Sequence, residues 1–120
     1  MGKTIYTGVF FSDGSHMTLT FRPSQDIIDT TPFGKTVCVM HTGDMSTDEF
    51  YGISVTPVSD IPTVSSGQPH ITMGTFGDFK PGNIPDRMRS NPEIITPVKN
   101  GRFIYGTIGR FMSDGKVHFD

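Results

Sequence analysis

The chain has 120 residues and a mass of 13.2 kDa, which leaves room for one hydrophobic core and one domain spanning residues 1–120. Ten basic and twelve acidic side chains give a formal charge of −2, which excludes a general nucleic-acid coat but not a small nucleotide ligand. Fourteen Gly and nine Pro in a chain only 34% hydrophobic call for many turns and short elements, while ten Phe supply burial in the absence of Trp.

Residues 3–11 read as a strand, Ser12-Asp13-Gly14-Ser15 as a turn and residues 16–22 as the returning strand of a β-hairpin. Residues 23–29 predict a turn or two of helix with Pro23 early, where it is tolerated. Thr31-Pro32-Phe33-Gly34 breaks it. A strand follows at 35–41, ending near His41-Thr42-Gly43-Asp44, and Ser46-Thr47-Asp48-Glu49 resembles a helix cap with little helix behind it.

Tyr51 to Val58 alternates as a strand with Ile53 and Val55 on one face, and 61–69 is a Pro- and Ser-containing connection into a strand at 70–76. Residues 77–92 read as a long loop with a helical turn at 85–90. Residues 93–98 are expected to pair with 102–112 across Lys99-Asn100-Gly101, an Asn-Gly hairpin signal. Ser113-Asp114-Gly115 then turns the chain into 116–119. Seven or eight strands with little helix make a β-dominated α+β domain or a small all-β one. Its antiparallel strands are expected in two pseudo-symmetric halves around a central cleft.

Cys38 is the only cysteine, so neither an intramolecular disulfide nor a Cys-based metal site is expected, and Val37-Cys38-Val39 reads as a buried thiol. The N-terminal segment has no signal-peptide stretch, Tyr6 stands where a myristoylation signal needs Ser or Thr, and no apolar run reaches spanning length. A soluble, cytoplasmic protein without membrane contact is expected. Strands at both termini would permit pairing into a homo-oligomer.

One short phrase occurs twice. Residues 16–21 read His-Met-Thr-Leu-Thr-Phe, and residues 70–76 read His-Ile-Thr-Met-Gly-Thr-Phe. On a strand, positions i and i+2 share a face, so each copy presents an imidazole beside a hydroxyl while Met17 and Leu19, or Ile71 and Met73, turn to a core. Two such strands side by side would gather His16, Thr18, His70 and Thr72 around one small site. Arg22 and Lys80, each shortly after a motif strand, extend the repetition. The period, 70 − 16 = 54 residues, indicates a duplicated unit with approximate two-fold symmetry and not a solenoid.

His16-Met17-Thr18-Leu19 and Pro69-His70-Ile71-Thr72-Met73 resemble the two-histidine phosphoesterase superfamily. Its members include RNA 2′,3′-cyclic phosphodiesterases, the cyclic-phosphate-opening domains of tRNA ligases and phage enzymes that degrade cyclic oligonucleotides. The resemblance covers roughly a third of the chain. The chain departs from the pattern in length and in lacking a helix between its opening strand and the first motif, so it would be a minimal member.

The resemblance implies a metal-independent phosphodiesterase acting on a 2′,3′-cyclic RNA end, a cyclic nucleotide or a cyclic oligonucleotide, in viral anti-defence or RNA repair. One imidazole of the His16/His70 pair would act as base and the other as acid, a role suited to a side chain that titrates near neutrality. Thr18 and Thr72 would donate to the nonbridging phosphate oxygens. No cofactor or metal is expected, and His41 and Asp44 lack ligand spacing. Tyr6, Phe10, Phe76 and Phe79 are candidates to stack on a base, and Lys80 to meet a phosphate. A nucleotide-sequestering module without catalysis and a structural β-rich viral protein remain as alternatives.

Overall fold

A computed structural model describes residues 2–120 and shows a β-dominated, antiparallel fold. Its elements are β1 (Thr4–Phe11), β2 (His16–Phe21), α1 (Gln25–Thr30), β3 (Thr36–Ser46), β4 (Phe50–Pro57), β5 (His70–Thr75), α2 (Ile84–Ser90), β6 (Ile95–Pro97), β7 (Phe103–Met112) and β8 (Val117–His118). One sheet runs in the order β2-β1-β7-β3-β4-β5, with β6 added to β3 and β8 to β7.

Two halves of the chain repeat one plan, a hairpin followed by a short helix and a long strand. The first is β1-β2-α1-β3 and the second β4-β5-α2-β7, and the long strands are exchanged, so that β7 lies on β1 and β3 on β4. The hairpin registers agree in detail. Gly8, Val9 and Phe10 oppose Thr18, Met17 and His16, while Gly52, Ile53 and Ser54 oppose Thr72, Ile71 and His70. Each hairpin carries a bulge at the same place, before Gly8 and before Gly52. A bulge is a specific local irregularity, and its recurrence at equivalent positions marks the halves as structurally equivalent.

Alternation along six strands puts Val9, Phe11, Met17, Leu19, Val37, Val39, Val55, Ile71 and Ile108 into one buried cluster. A single cluster drawn from every strand from β2 to β5 requires the sheet to curl around it. The two edges therefore come together, with Cα atoms of β2 and β5 within 8 Å but no ladder between them. The segment before β5 bridges this seam: Ser65 N–H donates to the Leu19 carbonyl (2.9 Å), and Val64 joins the core. Burying each such aliphatic side chain contributes about 1.5–3 kcal/mol.

A smaller cluster lies beneath α2, where Ile84 and Met88 meet Met45 and Phe50, with Phe79 and Ile95 at its margin. Pro85 in the first turn and Asp86 beside it suit the helix start, and Arg87 and Arg89 suit its end. In the first half, Ser24 caps α1 by accepting from Ile27 N–H.

Two expectations are corrected. β3 does not end near His41; a bulge between His41 and Gly43 carries it on to Ser46. Residues 95–97 pair with β3 and not with β7, so Asn100-Gly101 makes no hairpin. A type I′ turn needs positive φ at both central residues, and neither has it; Gly101 instead packs against the His41 carbonyl, which a side chain would strike. Of the terminal strands, β1 lies between β2 and β7, while the two-residue β8 pairs only with β7. No helix is long and apolar enough to cross a membrane.

Candidate active site

The duplicated motifs begin the two edge strands that meet at the seam. Met17 and Leu19 are fully buried, so His16 and Thr18 take the opposite face of β2, and Ile71 likewise fixes His70 and Thr72 on that face of β5. Met73 departs from the expected pattern and is 44% exposed. Its counterpart Leu19 is buried in one cluster with Val64, beside the Ser65 N–H bond to the Leu19 carbonyl.

His16 forms a three-ring cluster with Tyr6 and Phe10 of β1, which also stack on each other at 6.0 Å. Its ring stacks on Tyr6 at 4.9 Å and on Phe10 at 5.6 Å, and Tyr6 in turn stacks on Phe111 at 5.2 Å. Burial holds the His16 imidazole below the ordinary histidine pKa, and the charge of His70 lowers it further. The two imidazoles therefore lie within electrostatic reach of each other. Burial of Tyr6 raises its phenol pKa, so it stays protonated.

His70 is held differently. Its Nδ1 lies 2.7 Å from the Gln68 carbonyl oxygen, which can only accept, so Nδ1 carries the proton and Nε2 is the working nitrogen. Burial lowers its pKa as well, while the bond to Gln68 pulls the other way. The effect is a pair of histidines that both favour the neutral form.

The hydroxyls sit opposite glycines. Thr18 faces Gly8 and Thr72 faces Gly52 across their hairpins, and among the described residues neither hydroxyl bonds to another protein group. Both glycines are required by close approach. A Cβ on Gly8 would lie 2.8 Å from the Met17 carbonyl oxygen, and one on Gly52 would strike the Ile71 carbonyl. Neither glycine was singled out in the sequence, although Gly8-Val9 and Gly52-Ile53 repeat on the two strands before the motifs. No residue pattern pointed to the Gln68 carbonyl, because its role belongs to the backbone.

The other candidates divide. Tyr6 and Phe10 stack on His16 as described. Phe76 is half exposed and stacks on Tyr51, while Phe79 stacks on Phe50 at 5.3 Å and helps close the smaller core. Lys80 is exposed ahead of a single 3₁₀ turn, Pro81–Asn83. Arg22 lies over Phe21, and by register its equivalent in the second half is Phe76, not Lys80. His41 bonds to Asp44 at 2.7 Å and His118 to Asp114 at 2.9 Å. Among the described residues no three metal-ligating side chains form a cluster.

Comparison with known proteins returns nothing on which to lean: no family model, curated protein or solved structure matches the chain.

Proposed function

We propose that the chain is a metal-independent phosphodiesterase that hydrolyses a cyclic nucleotide, a cyclic oligonucleotide or a 2′,3′-cyclic RNA end at the His16/His70 pair. One observation carries the reading. Two His-x-Thr units occupy register-equivalent positions in equivalent halves, on the two edge strands that come together at the seam.

In this mechanism His16, whose burial and neighbouring His70 charge both favour the neutral form, takes a proton from the attacking water as the new oxygen–phosphorus bond forms. His70, oriented by the Gln68 carbonyl, gives its Nε2 proton to the departing ribose oxygen as that bond to phosphorus breaks. The proton taken up equals the proton released, and the imidazoles exchange charge states. The positive charge that develops on His16 forms beside the Tyr6 and Phe10 rings, whose π faces favour a cation. Thr18 and Thr72 donate to the nonbridging oxygens, where charge grows in the transition state. Acid–base assistance of this kind is worth about 10²–10⁴ in rate.

The test is hydrolysis, in excess EDTA, of a panel of 2′,3′-cyclic mononucleotides and cyclic di- and trinucleotides. Chelator-resistant cleavage of at least one member is the expected result and would name the substrate class. Well-folded protein that cleaves no member would sink the reading.

A further inference from the structure

The face of the sheet that carries His16 continues inward as a row of directly opposed residues: His16 on β2, Phe10 on β1, Thr107 on β7 and Thr36 on β3. With strands about 4.8 Å apart, Thr107 lies about 10 Å from His16. A cavity of 330 Å³ opens over this row, bounded by Phe10, Tyr105 and Phe119, with Thr36, Thr107 and Ser12 among its lining residues. Phe119 meets Phe10 edge-on at 6.2 Å, and its ring rests on Gly109, where a Cβ would come within 2.8 Å of it.

Three properties define what this cavity takes. Its rings keep much of their surface open to water, Tyr105 at 66% and Phe119 at 46% exposure. No charged side chain lines it, so a phosphate has no counter-ion there and a neutral, flat group does. Its hydroxyls sit beside the rings, suited to the polar edge of a heterocycle. Phe10 joins the cavity to the histidine, because the ring that bounds the cavity is also the ring stacked on His16. The second half has no counterpart. Ser54 stands in the place of Phe10, buried against Thr42, and Gly43 opposes it where Thr107 would be.

We propose that this cavity is a nucleobase subsite, with Tyr105 and Phe119 as its stacking residues, and that it seats one base per scissile phosphate on the His16 side of the pair. The proposal rests on the phosphodiesterase reading and deepens it. A single slot on one half makes substrate binding directional in an otherwise two-fold site.

The test compares adenosine 2′,3′-cyclic phosphate with the base-free methyl riboside 2′,3′-cyclic phosphate, in EDTA, for wild type, Tyr105→Ala and Phe119→Ala. Loss of one stacking ring is expected to raise KM for the nucleotide about tenfold with kcat little changed, and to leave the base-free substrate unaffected. Unchanged nucleotide KM in both variants, or equal losses on both substrates, would overturn the subsite. If wild type cleaves neither compound, the phosphodiesterase reading is what has failed for this linkage, and adenosine binding followed by NMR decides the subsite alone. Binding weakened by Tyr105→Ala supports it, and no binding to wild type overturns it.

Discussion

Replacing Gly8 or Gly52 by Ala perturbs the motif strands without touching a histidine. A Cβ at position 8 would lie 2.8 Å from the Met17 carbonyl oxygen, against 3.4 Å for ordinary contact, so 3.4 − 2.8 = 0.6 Å must be found. The obstructing atom is backbone, one residue from both His16 and Thr18, so β2 itself has to move. Forced overpacking of this kind costs about 1–3 kcal/mol. Because a misplacement near 1 Å can lower activity about 100-fold, a shift of this size should cost about tenfold in kcat.

Gly52 is tighter still: its Cβ would strike the Ile71 carbonyl oxygen and come within 3.3 Å of two further backbone atoms. Gly52→Ala should therefore be the more damaging change in both respects. Gly82→Ala is the control, since nothing lies within 4 Å and its φ is not positive, and it should stay within about 0.5 kcal/mol of wild type. Urea unfolding gives the stabilities and hydrolysis of the preferred cyclic nucleotide gives kcat. Wild-type stability and turnover in both Gly8→Ala and Gly52→Ala would refute the claim that these glycines set the position of the motifs.

Because both imidazoles are depressed and one must be neutral while the other is protonated, kcat/KM should follow a bell whose optimum lies below pH 6.5; an optimum above 7 would contradict the site's electrostatics. The same shifts make a stability statement. A histidine depressed in the folded state contributes stability that is present above its unfolded value near 6.5 and lost as pH falls through its lowered value, and a His16→Gln/His70→Gln double variant should flatten that loss in urea titrations. Thr18→Val and Thr72→Val keep strand propensity and remove only the hydroxyl, so each should lower kcat by about 10²–10³ with little change in unfolding midpoint.

Much of the fold was legible because local chemistry decided it. Ser12-Asp13-Gly14-Ser15 closes the first hairpin with Gly14 at positive φ, and Gly115 closes the last in the same way. Alternation around Met17 and Ile71 alone places both histidine–threonine pairs on one face. What failed was partner choice. The Asn100-Gly101 signal is local, whereas the long edge of β3 accepts both β6 and β7 and holds Gly101 against its own backbone.

The exchange of β3 and β7 between halves leaves no trace in sequence, since a strand's partner is set by the whole curl of the sheet. Aromatic roles were divided for the same reason. Phe79 and Phe10 look alike in sequence, yet one closes the core under α2 and the other stacks on His16. Tyr105 and Phe119 come near Phe10 only because β7 pairs with β1 and the Phe119 ring lies against Gly109.

The most direct measurement is turnover by His16→Ala, His70→Ala and the double variant, each shown to be folded, on the preferred substrate in EDTA. Acid and base that act as one unit give losses that do not add: each single change should cost at least about 100-fold, and the double little more than either alone. Near wild-type turnover in either single variant would show that the two histidines are not the paired acid and base of a phosphodiesterase.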